Sequence, residues 1–187
     1  MTATERRALL APAVQERVAG GAVVWAELGA GDGAFTLVLA ALLGGGATVI
    51  AVDRDRRALT RLARAAHLAG AAAAIETLAA DFRRPLPLPE LDGVLLANAL
   101  HYVRETEQAA LLKRLADRLK PDGRLVVVEY DLARPNPWVP YPIPPLRFEA
   151  LARDAGLRGA RVLSEAPSRY WGRAYSAFAV PGKPPRA

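Results

Sequence analysis

Short apolar runs alternate with amphipathic segments along most of the chain, and this alternation limits the possible folds more than any other feature. The apolar runs predict strands at 23–28, 48–52, 73–78, 94–97, 124–130, 160–164 and 174–180. The amphipathic segments predict helices at 4–18, 34–43, 54–69, 106–119 and 147–155. Strands without a polar face lie in parallel sheets that helices cover on both sides. The pattern therefore predicts an α/β fold built on a mostly parallel sheet.

The length of the chain leaves room for one such sheet. Its 187 residues correspond to a single domain at the usual ~100–200 residues per domain. A hydrophobic fraction of 52% excludes a disordered chain. Within residues 1–187 we expect an N-terminal helix at 1–20, tight turns at 91–93 and 121–123, a proline-rich loop at 131–146 and a flexible tail at 181–187.

Composition excludes several kinds of chemistry. The chain contains no cysteine, which rules out disulfides, cysteine-ligated zinc and thiolate nucleophiles, and we predict no metal site. The net charge is +6, and only Lys113, Lys120 and Lys183 of the 25 basic residues are lysine. An arginine excess indicates either a nucleic-acid partner, whose phosphates arginine binds, or codon bias. Heavy use of alanine and proline beside arginine favours codon bias.

No segment of the sequence predicts a membrane anchor or a secretory signal. Residues 34–52 carry no charge, but the glycines at 44–46 divide them into a helix, a turn and a strand. The first residues lack the charged-then-apolar order of a signal peptide. We therefore expect a cytoplasmic protein without a membrane partner.

A glycine-rich segment at 27–33 joins the first predicted strand to the next helix. Its glycines allow a ligand to approach the backbone, and the helix N-terminus attracts an anion. Asp53 ends the following strand, 24 residues after Gly29, where its carboxylate would accept hydrogen bonds from ribose hydroxyls. With Ala34, the segment also fits the G-x-G-x-x-A dinucleotide fingerprint, and a plain turn without a ligand is a further alternative.

Later segments separate these alternatives. Asp81 and Phe82 follow the third strand, where a carboxylate and a backbone N–H can bind adenine, and Asn98 follows the fourth strand. A turn with the sequence L-K-P-D-G-R-L, at 119–125, precedes the fifth strand. An NAD-linked reductase is disfavoured because the chain lacks room for a separate substrate domain.

With these segments in this order, the chain resembles the class I S-adenosylmethionine-dependent methyltransferases over nearly its whole length. The resemblance implies a Rossmann-like three-layer sandwich whose seven-stranded, mostly parallel sheet has an antiparallel last strand. It implies S-adenosylmethionine as cofactor, with methionine at the glycine loop, ribose at Asp53, adenine at Asp81 and the methionine amino group at the backbone carbonyl of Asn98. The implied cofactor-binding residues are Glu27, Gly29, Ala30, Gly31, Gly33, Asp53, Arg54, Asp81, Phe82 and Asn98.

Two positions bear on the branch of the family. Arg54 stands where the family commonly has an apolar residue against adenine, and its guanidinium can stack on the base instead. Asn98 lacks the N-P-P-Y continuation of amino-directed nucleic-acid methyltransferases, and residues 98–101 look more like the small-molecule branch. We therefore expect a small-molecule acceptor. An RNA methyltransferase, and a cofactor-binding protein without turnover, are the alternatives.

Methyl transfer is an in-line displacement on an activated methyl group, so the enzyme mainly positions and desolvates its substrates. His101 lies just past a central strand and is the first candidate for a general base; its alternative is to pack or cap at the helix start. The aromatic residues of the proline-rich loop either cover the acceptor or only hold the loop to the domain. The candidate acceptor-binding residues are Tyr102, Asp131, Trp138 and Tyr141.

Overall fold

The structure is a computed structural model and describes residues 1–15, 23–168 and 172–182. Its helices are α1 (Ala3–Gln15), α2 (Thr36–Leu43), α3 (Arg56–Ala69), α4 (Glu105–Ala116) and α5 (Pro145–Asp154), with a short 3-10 helix at Leu100–Tyr102. Its strands are β1 (Val23–Leu28), β2 (Ala47–Asp53), β3 (Ala74–Ala79), β4 (Leu91–Ala97), β5 (Leu119–Tyr130), β6 (Leu157–Pro167) and β7 (Arg173–Pro181).

The seven strands form one sheet in the order β3-β2-β1-β4-β5-β7-β6. Strands β1 to β5 run parallel, and β7 pairs antiparallel with both β5 and β6. The chain moves outward from β1 to β3 and then returns to the other side of β1 with β4. Ligands of open α/β sheets bind at such a reversal, beyond the carboxyl ends of the strands. The predicted mostly parallel, seven-stranded sheet is confirmed.

Helices cover both faces of this sheet because its central strands are apolar on both sides. In β4, Val94 and Leu96 pack towards α4 and α5, whereas Leu95 packs towards α1 and α2. Leu59 and Leu62 of α3 form a smaller cluster with Ala51 of β2. The result is the three-layer sandwich expected from the sequence.

The start of α3 shows why β2 ends where it does. The Asp55 side chain accepts hydrogen bonds from the backbone N–H groups of Arg57 and Ala58, which is an N-cap. Gly70 ends the helix in the left-handed conformation that glycine adopts most readily. The short connection from β2 into a capped helix leaves Asp53 at the edge of the sheet, facing the glycine loop.

Two segments predicted to be turns lie inside strands of the structure, because β4 and β5 pair on both sides of residues 120–123. Leu91 pairs with Leu119, and Gly93 pairs with Arg124, so the expected turn at 91–93 belongs to β4. The expected turn at 121–123 is a bulge inside β5, which is longer than its partner at this point. The helix predicted to reach 119 therefore ends at Ala116.

Other boundaries differ at the ends of elements. The proline-rich loop stops at 144 rather than 146, since Pro145 is in the first turn of α5. A backbone N–H in that turn has no acceptor within the helix, so proline, which has no N–H, is well tolerated there. The N-terminal helix, expected within 1–20, is observed as Ala3–Gln15, and residues 16–20 lie outside the described part. Of the expected tail at 181–187, Pro181 belongs to β7. Residues 183–187 lie outside the described part of the chain.

Candidate functional site

A cleft of about 500 Å3 opens at the carboxyl ends of β1 to β4. Its volume lies within the ~300–1,000 Å3 range of small-ligand sites. Tyr102, a predicted acceptor-binding residue, contributes to its wall. The predicted cofactor residues that line it are Gly29, Gly31, Asp53, Arg54, Asp81, Phe82 and Asn98.

A second cavity, of about 230 Å3, adjoins this cleft and extends beneath the start of α1. The two spaces share Gly29 and Asn98 in their walls, so they form a large and a small chamber that meet at these residues. The small chamber contains the predicted residues Glu27 and Ala30. Its other lining residues are Met1, Arg6, Ala34, Phe35, Ala97 and Tyr130.

The three glycines of the loop have different roles. All three have positive φ, a region that other residues rarely adopt: +77° at Gly29, +55° at Gly31 and +87° at Gly33. A Cβ at Gly29 would lie 2.8 Å from the Cβ of Ala99, whereas one at Gly31 would meet nothing within 4 Å. A Cβ at Gly33 would lie 2.1 Å from Leu62 Cδ1. Gly33 therefore faces α3 rather than a ligand, and Gly31 leaves open space beside the cleft.

The backbone N–H groups of the loop already have acceptors. Those of Gly29 and Ala30 donate to the Val52 carbonyl at 2.8 and 3.0 Å, and that of Gly33 donates to the Ala30 carbonyl at 3.0 Å. The Gly31 N–H donates to Asp53 Oδ2 at 2.8 Å. These four N–H groups are therefore occupied within the loop. The prediction that the N-terminus of α2 attracts an anion concerns other N–H groups and stays a prediction.

The Asp53 carboxylate is held in a fixed orientation between the loop and α3. Its Oδ2 accepts from Gly31, and its Oδ1 accepts from the Asp55 N–H at 2.8 Å. A carboxylate has about four lone-pair positions, so two hydrogen bonds leave room for further donors. Asp53 can therefore bind a pair of hydroxyls in the cleft without losing its structural contacts.

Asp81 forms an ion pair at the other end of the cleft. Its oxygens accept from Arg83 Nε at 2.9 Å and from Arg83 Nη2 at 2.7 Å. These bonds, together with a smaller effect of the positive charge of Arg54, lower the pKa of Asp81 from 3.8 to about 2. The carboxylate stays ionised at neutral pH and offers only acceptors to a ligand. Phe82 lies beside Asp81, and a Cβ added at Gly29 would lie 3.4 Å from Cε1 of the Phe82 ring.

Glu27 is a buried carboxyl group in the wall of the small chamber. Its side chain is 1% exposed, and its Oε2 accepts a hydrogen bond from the Thr36 hydroxyl at 2.5 Å. Burial raises its pKa, the Thr36 hydrogen bond opposes the increase and the charge of Asp53 adds to it, so that the pKa of Glu27 is about 8. Glu27 is therefore mostly protonated at pH 7 unless a cation enters the chamber.

His101 lies behind the two chambers and is not among their lining residues. It is 2% exposed, and its Nδ1 lies 2.5 Å from Glu129 Oε2. The other oxygen of Glu129 accepts from the His101 backbone N–H at 3.3 Å. The centroid of the His101 ring is 4.4 Å from that of the Tyr102 ring and 6.3 Å from that of the Tyr130 ring. The His101–Glu129 pair thus supports two tyrosines, one from each chamber.

Comparison with known proteins agrees with this arrangement. A family model described as a methyltransferase domain matches residues 26–123, more than half of the chain. The chain belongs to the methyltransferase-domain family. A comparison with curated proteins finds no match.

Solved structures show the same fold for this methyltransferase domain. A Nostoc punctiforme protein, provisionally described as an O-methyltransferase, has a TM-score of 0.77 at 20% identity over 96% of this chain and 56% of its own. A mitomycin 7-O-methyltransferase has 0.69 at 21% identity, over 95% and 53%. The magnesium protoporphyrin IX methyltransferase of Synechocystis, solved with bound S-adenosylmethionine, has 0.74 at 19% identity, over 96% and 79%. The chain spans about half the length of the first two.

The proline-rich loop of the methyltransferase domain is ordered by a turn of its own and by hydrogen bonds to the core. The Asn136 side chain accepts from the backbone N–H groups of Trp138 and Val139, both at 2.9 Å. The Tyr141 N–H donates to the His101 carbonyl at 3.2 Å, and the Tyr175 hydroxyl donates to the Ile143 carbonyl at 2.5 Å. These contacts favour the interpretation that the loop is held to the domain.

Three predicted acceptor-binding residues lie elsewhere. Asp131, Trp138 and Tyr141 are absent from the described walls of both chambers. Trp138 is 64% exposed. Of the residues predicted to contact the acceptor, only Tyr102 reaches the cleft in the part of the chain described here.

Sequence reasoning missed the contribution of α1 to the site. Arg6 lines the small chamber, with its guanidinium 5.7 Å from the centroid of the Phe35 ring. Arg61 of α3 adds a second missed basic residue, in the large chamber. The helical period of α1 indicated its buried side, but nothing in the sequence indicates which end of the sheet its first turns reach. In the described residues, every helix is too short or too polar to span a bilayer.

Proposed function

We propose that this protein binds S-adenosylmethionine across the two chambers and transfers its methyl group to a small-molecule acceptor. The observation that carries the proposal is the adjacency of the chambers. Seven predicted cofactor residues line the large chamber, and two of them, Gly29 and Asn98, also line the small chamber. An elongated ligand with one nucleoside end and one charged end fits such a site.

The large chamber suits the adenosine part of the cofactor. Asp53 accepts hydrogen bonds from the ribose hydroxyls while Gly31 and Asp55 hold its orientation. Asp81, kept ionised by Arg83, accepts from the adenine amino group. Phe82 and Arg54 offer an aromatic ring and a guanidinium to the faces of the base.

The small chamber suits the methionine part, which carries a carboxylate and an ammonium group. Arg6 provides a positive charge for the carboxylate. Glu27 lies in the same chamber and provides a carboxyl group for the ammonium. An ammonium ion next to Glu27 favours the ionised form of that carboxyl, so cofactor binding releases a proton near neutral pH.

The bound cofactor supplies a methyl group on a positively charged sulfur, already activated for in-line displacement. The residues of this chain then have to place the acceptor and exclude water. Tyr102 lines the large chamber and Tyr130 the small one, and the buried His101–Glu129 pair lies between them. We place His101 as a positioning residue for these tyrosines, because its ring is too buried to take a proton from an acceptor in either chamber.

The small-molecule assignment is supported by two fold relatives. One is named for mitomycin and the other for magnesium protoporphyrin IX. Methyl transfer from labelled S-adenosylmethionine to a panel of phenols, amines and carboxylic acids tests it. Turnover of at least one acceptor is expected. Tight cofactor binding without turnover of any acceptor would favour the cofactor-binding protein instead.

One surface feature favours RNA as a second candidate acceptor. Two adjoining cavities of about 360 Å3 each lie between residues 83–88 and α4, and both share Arg84 and Arg114. The apolar wall of the first cavity includes Phe82, an aromatic side chain of the kind on which single-stranded bases stack. The arginines that line one or both are Arg83, Arg84, Arg104, Arg114 and Arg118.

The RNA candidate makes its own prediction. Arginine contacts to phosphates give an affinity that falls steeply with salt concentration. An Arg84→Ala/Arg118→Ala variant would then bind a single-stranded RNA oligomer more weakly than wild type and with a smaller salt slope. An Arg57→Ala/Arg64→Ala variant on α3 is the matched control. Absence of RNA binding at low salt would eliminate this candidate.

A further inference from the structure

Asn98 has an unusual backbone conformation for its residue type. Its φ is +52°, and it is the only non-glycine residue with positive φ among the described residues. Asparagine tolerates the left-handed region better than most residues, but the conformation still has an energetic cost. The Asn98 N–H donates to the Val128 carbonyl at 2.8 Å, which fixes the backbone at the end of β4. Conformations of this kind concentrate at functional sites.

The side chain of Asn98 is also unusual. Its Oδ1 is buried and has no hydrogen-bond partner in the described structure. A buried carbonyl oxygen without a partner lowers stability, so natural proteins contain few of them. Rotation about the Cβ–Cγ bond of asparagine is soft, which allows the oxygen to turn towards a ligand.

The position of Asn98 indicates what such a ligand group would be. Asn98 and Gly29 form the boundary between the two chambers. This step rests on the proposed function: with adenosine in the large chamber and methionine in the small one, the sulfur that joins them lies at this boundary. The sulfur is a cation before methyl transfer and a neutral thioether after it.

We propose that the Asn98 side-chain oxygen is the group by which this site distinguishes the sulfonium of S-adenosylmethionine from the thioether of its product. The oxygen carries the negative end of the amide dipole and attracts the cation but has little attraction for the neutral sulfur. The fixed charges nearby, such as that of Asp53, favour a cation in all variants equally. Loss of the Asn98 oxygen therefore lowers the preference for the sulfonium over the thioether. Replacement of the amide by a carboxylate raises that preference.

The test is calorimetric titration of S-adenosylmethionine and S-adenosylhomocysteine into wild type, Asn98→Gly and Asn98→Asp. Glycine removes the oxygen and accepts the positive φ without strain, so its melting temperature should fall by no more than about 2 °C. We expect the preference for the sulfonium to fall roughly tenfold in Asn98→Gly, because an ion–dipole contact of this kind is similar in strength to a weak hydrogen bond to a charged group. The preference should rise in Asn98→Asp.

Asn136→Gly, in the proline-rich loop, is the control and should leave the selectivity unchanged. A preference in Asn98→Gly within twofold of wild type, or an equal weakening of both ligands, would overturn the inference and leave the proposed function intact. Failure of wild type to bind either ligand would instead refute the proposed function.

Discussion

Replacement of Glu27 by glutamine should stabilise the protein at neutral and alkaline pH and have a smaller effect in acid. Glutamine has nearly the same shape and can still accept the Thr36 hydrogen bond. The change removes a carboxyl group whose pKa burial raises from 4.5 in the unfolded chain to about 8 in the folded one. Between these two values the unfolded chain loses the proton and the folded protein keeps it, so the free energy of unfolding falls as pH rises.

The size of the effect follows from the two pKa values. Each pH unit within this window lowers the free energy of unfolding of wild type by about 1.4 kcal/mol, and the glutamine variant has no such loss. Between pH 5 and pH 7.5, Glu27→Gln should therefore gain about 3 kcal/mol relative to wild type. The same variant should bind S-adenosylhomocysteine more weakly, because the ammonium group loses an ionisable partner.

Urea denaturation of both proteins at pH 5 and pH 7.5, at constant ionic strength, measures this difference. Glu90→Gln is the control, since Glu90 is exposed and its replacement should give the same difference at both pH values. A change of less than about 1 kcal/mol between the two pH values in Glu27→Gln would refute the reasoning, since Glu27 would then ionise as an ordinary carboxyl group.

Three further predictions concern packing and charge. Gly33→Ala should lower the free energy of unfolding by about 2–4 kcal/mol more than Gly31→Ala in urea denaturation, because both strain a positive φ but only the first meets Leu62; equal losses would contradict the packing role of Gly33. His101→Ala should cost about 3–5 kcal/mol in the same assay, because it removes the side-chain partner of the buried Glu129 and leaves only the backbone N–H of residue 101; a loss below about 1 kcal/mol would argue against a strong contact between the two side chains. Arg6→Ala should weaken S-adenosylhomocysteine binding about tenfold in calorimetry, while Arg7→Ala, on the exposed side of α1, should not; equal effects would remove Arg6 from the site.

The sequence predicted the sheet because its central strands carry a strong local signal. The apolar runs of β1, β2 and β5 have no polar face, and such runs form buried parallel strands. The turns at 91–93 and 121–123 were mispredicted because turn propensity is local, whereas the pairing of Leu91 with Leu119 depends on segments far apart in the chain. The sequence of either segment alone does not indicate a long-range pairing of this kind.

The site was predictable where it depends on strand ends. Gly29, Asp53 and Asp81 lie at the carboxyl ends of three different strands, and the parallel arrangement of those strands brings them to one cleft. Arg6 was not predictable in this way, since it reaches the small chamber only through the packing of α1 against the domain. The burial of His101 against Glu129 was equally hidden, because a histidine after a strand has the same sequence context whether it is exposed or buried.

The central claim is that the two chambers hold S-adenosylmethionine, with its ribose on Asp53. Calorimetric titration of S-adenosylhomocysteine into wild type and Asp53→Ala tests this claim most directly, with circular dichroism to show that the variant is folded. We predict one binding site per chain in wild type and an affinity at least tenfold lower in folded Asp53→Ala, since the ribose hydroxyls lose a charged acceptor. No binding to wild type, or equal affinity in the two proteins, would contradict the account.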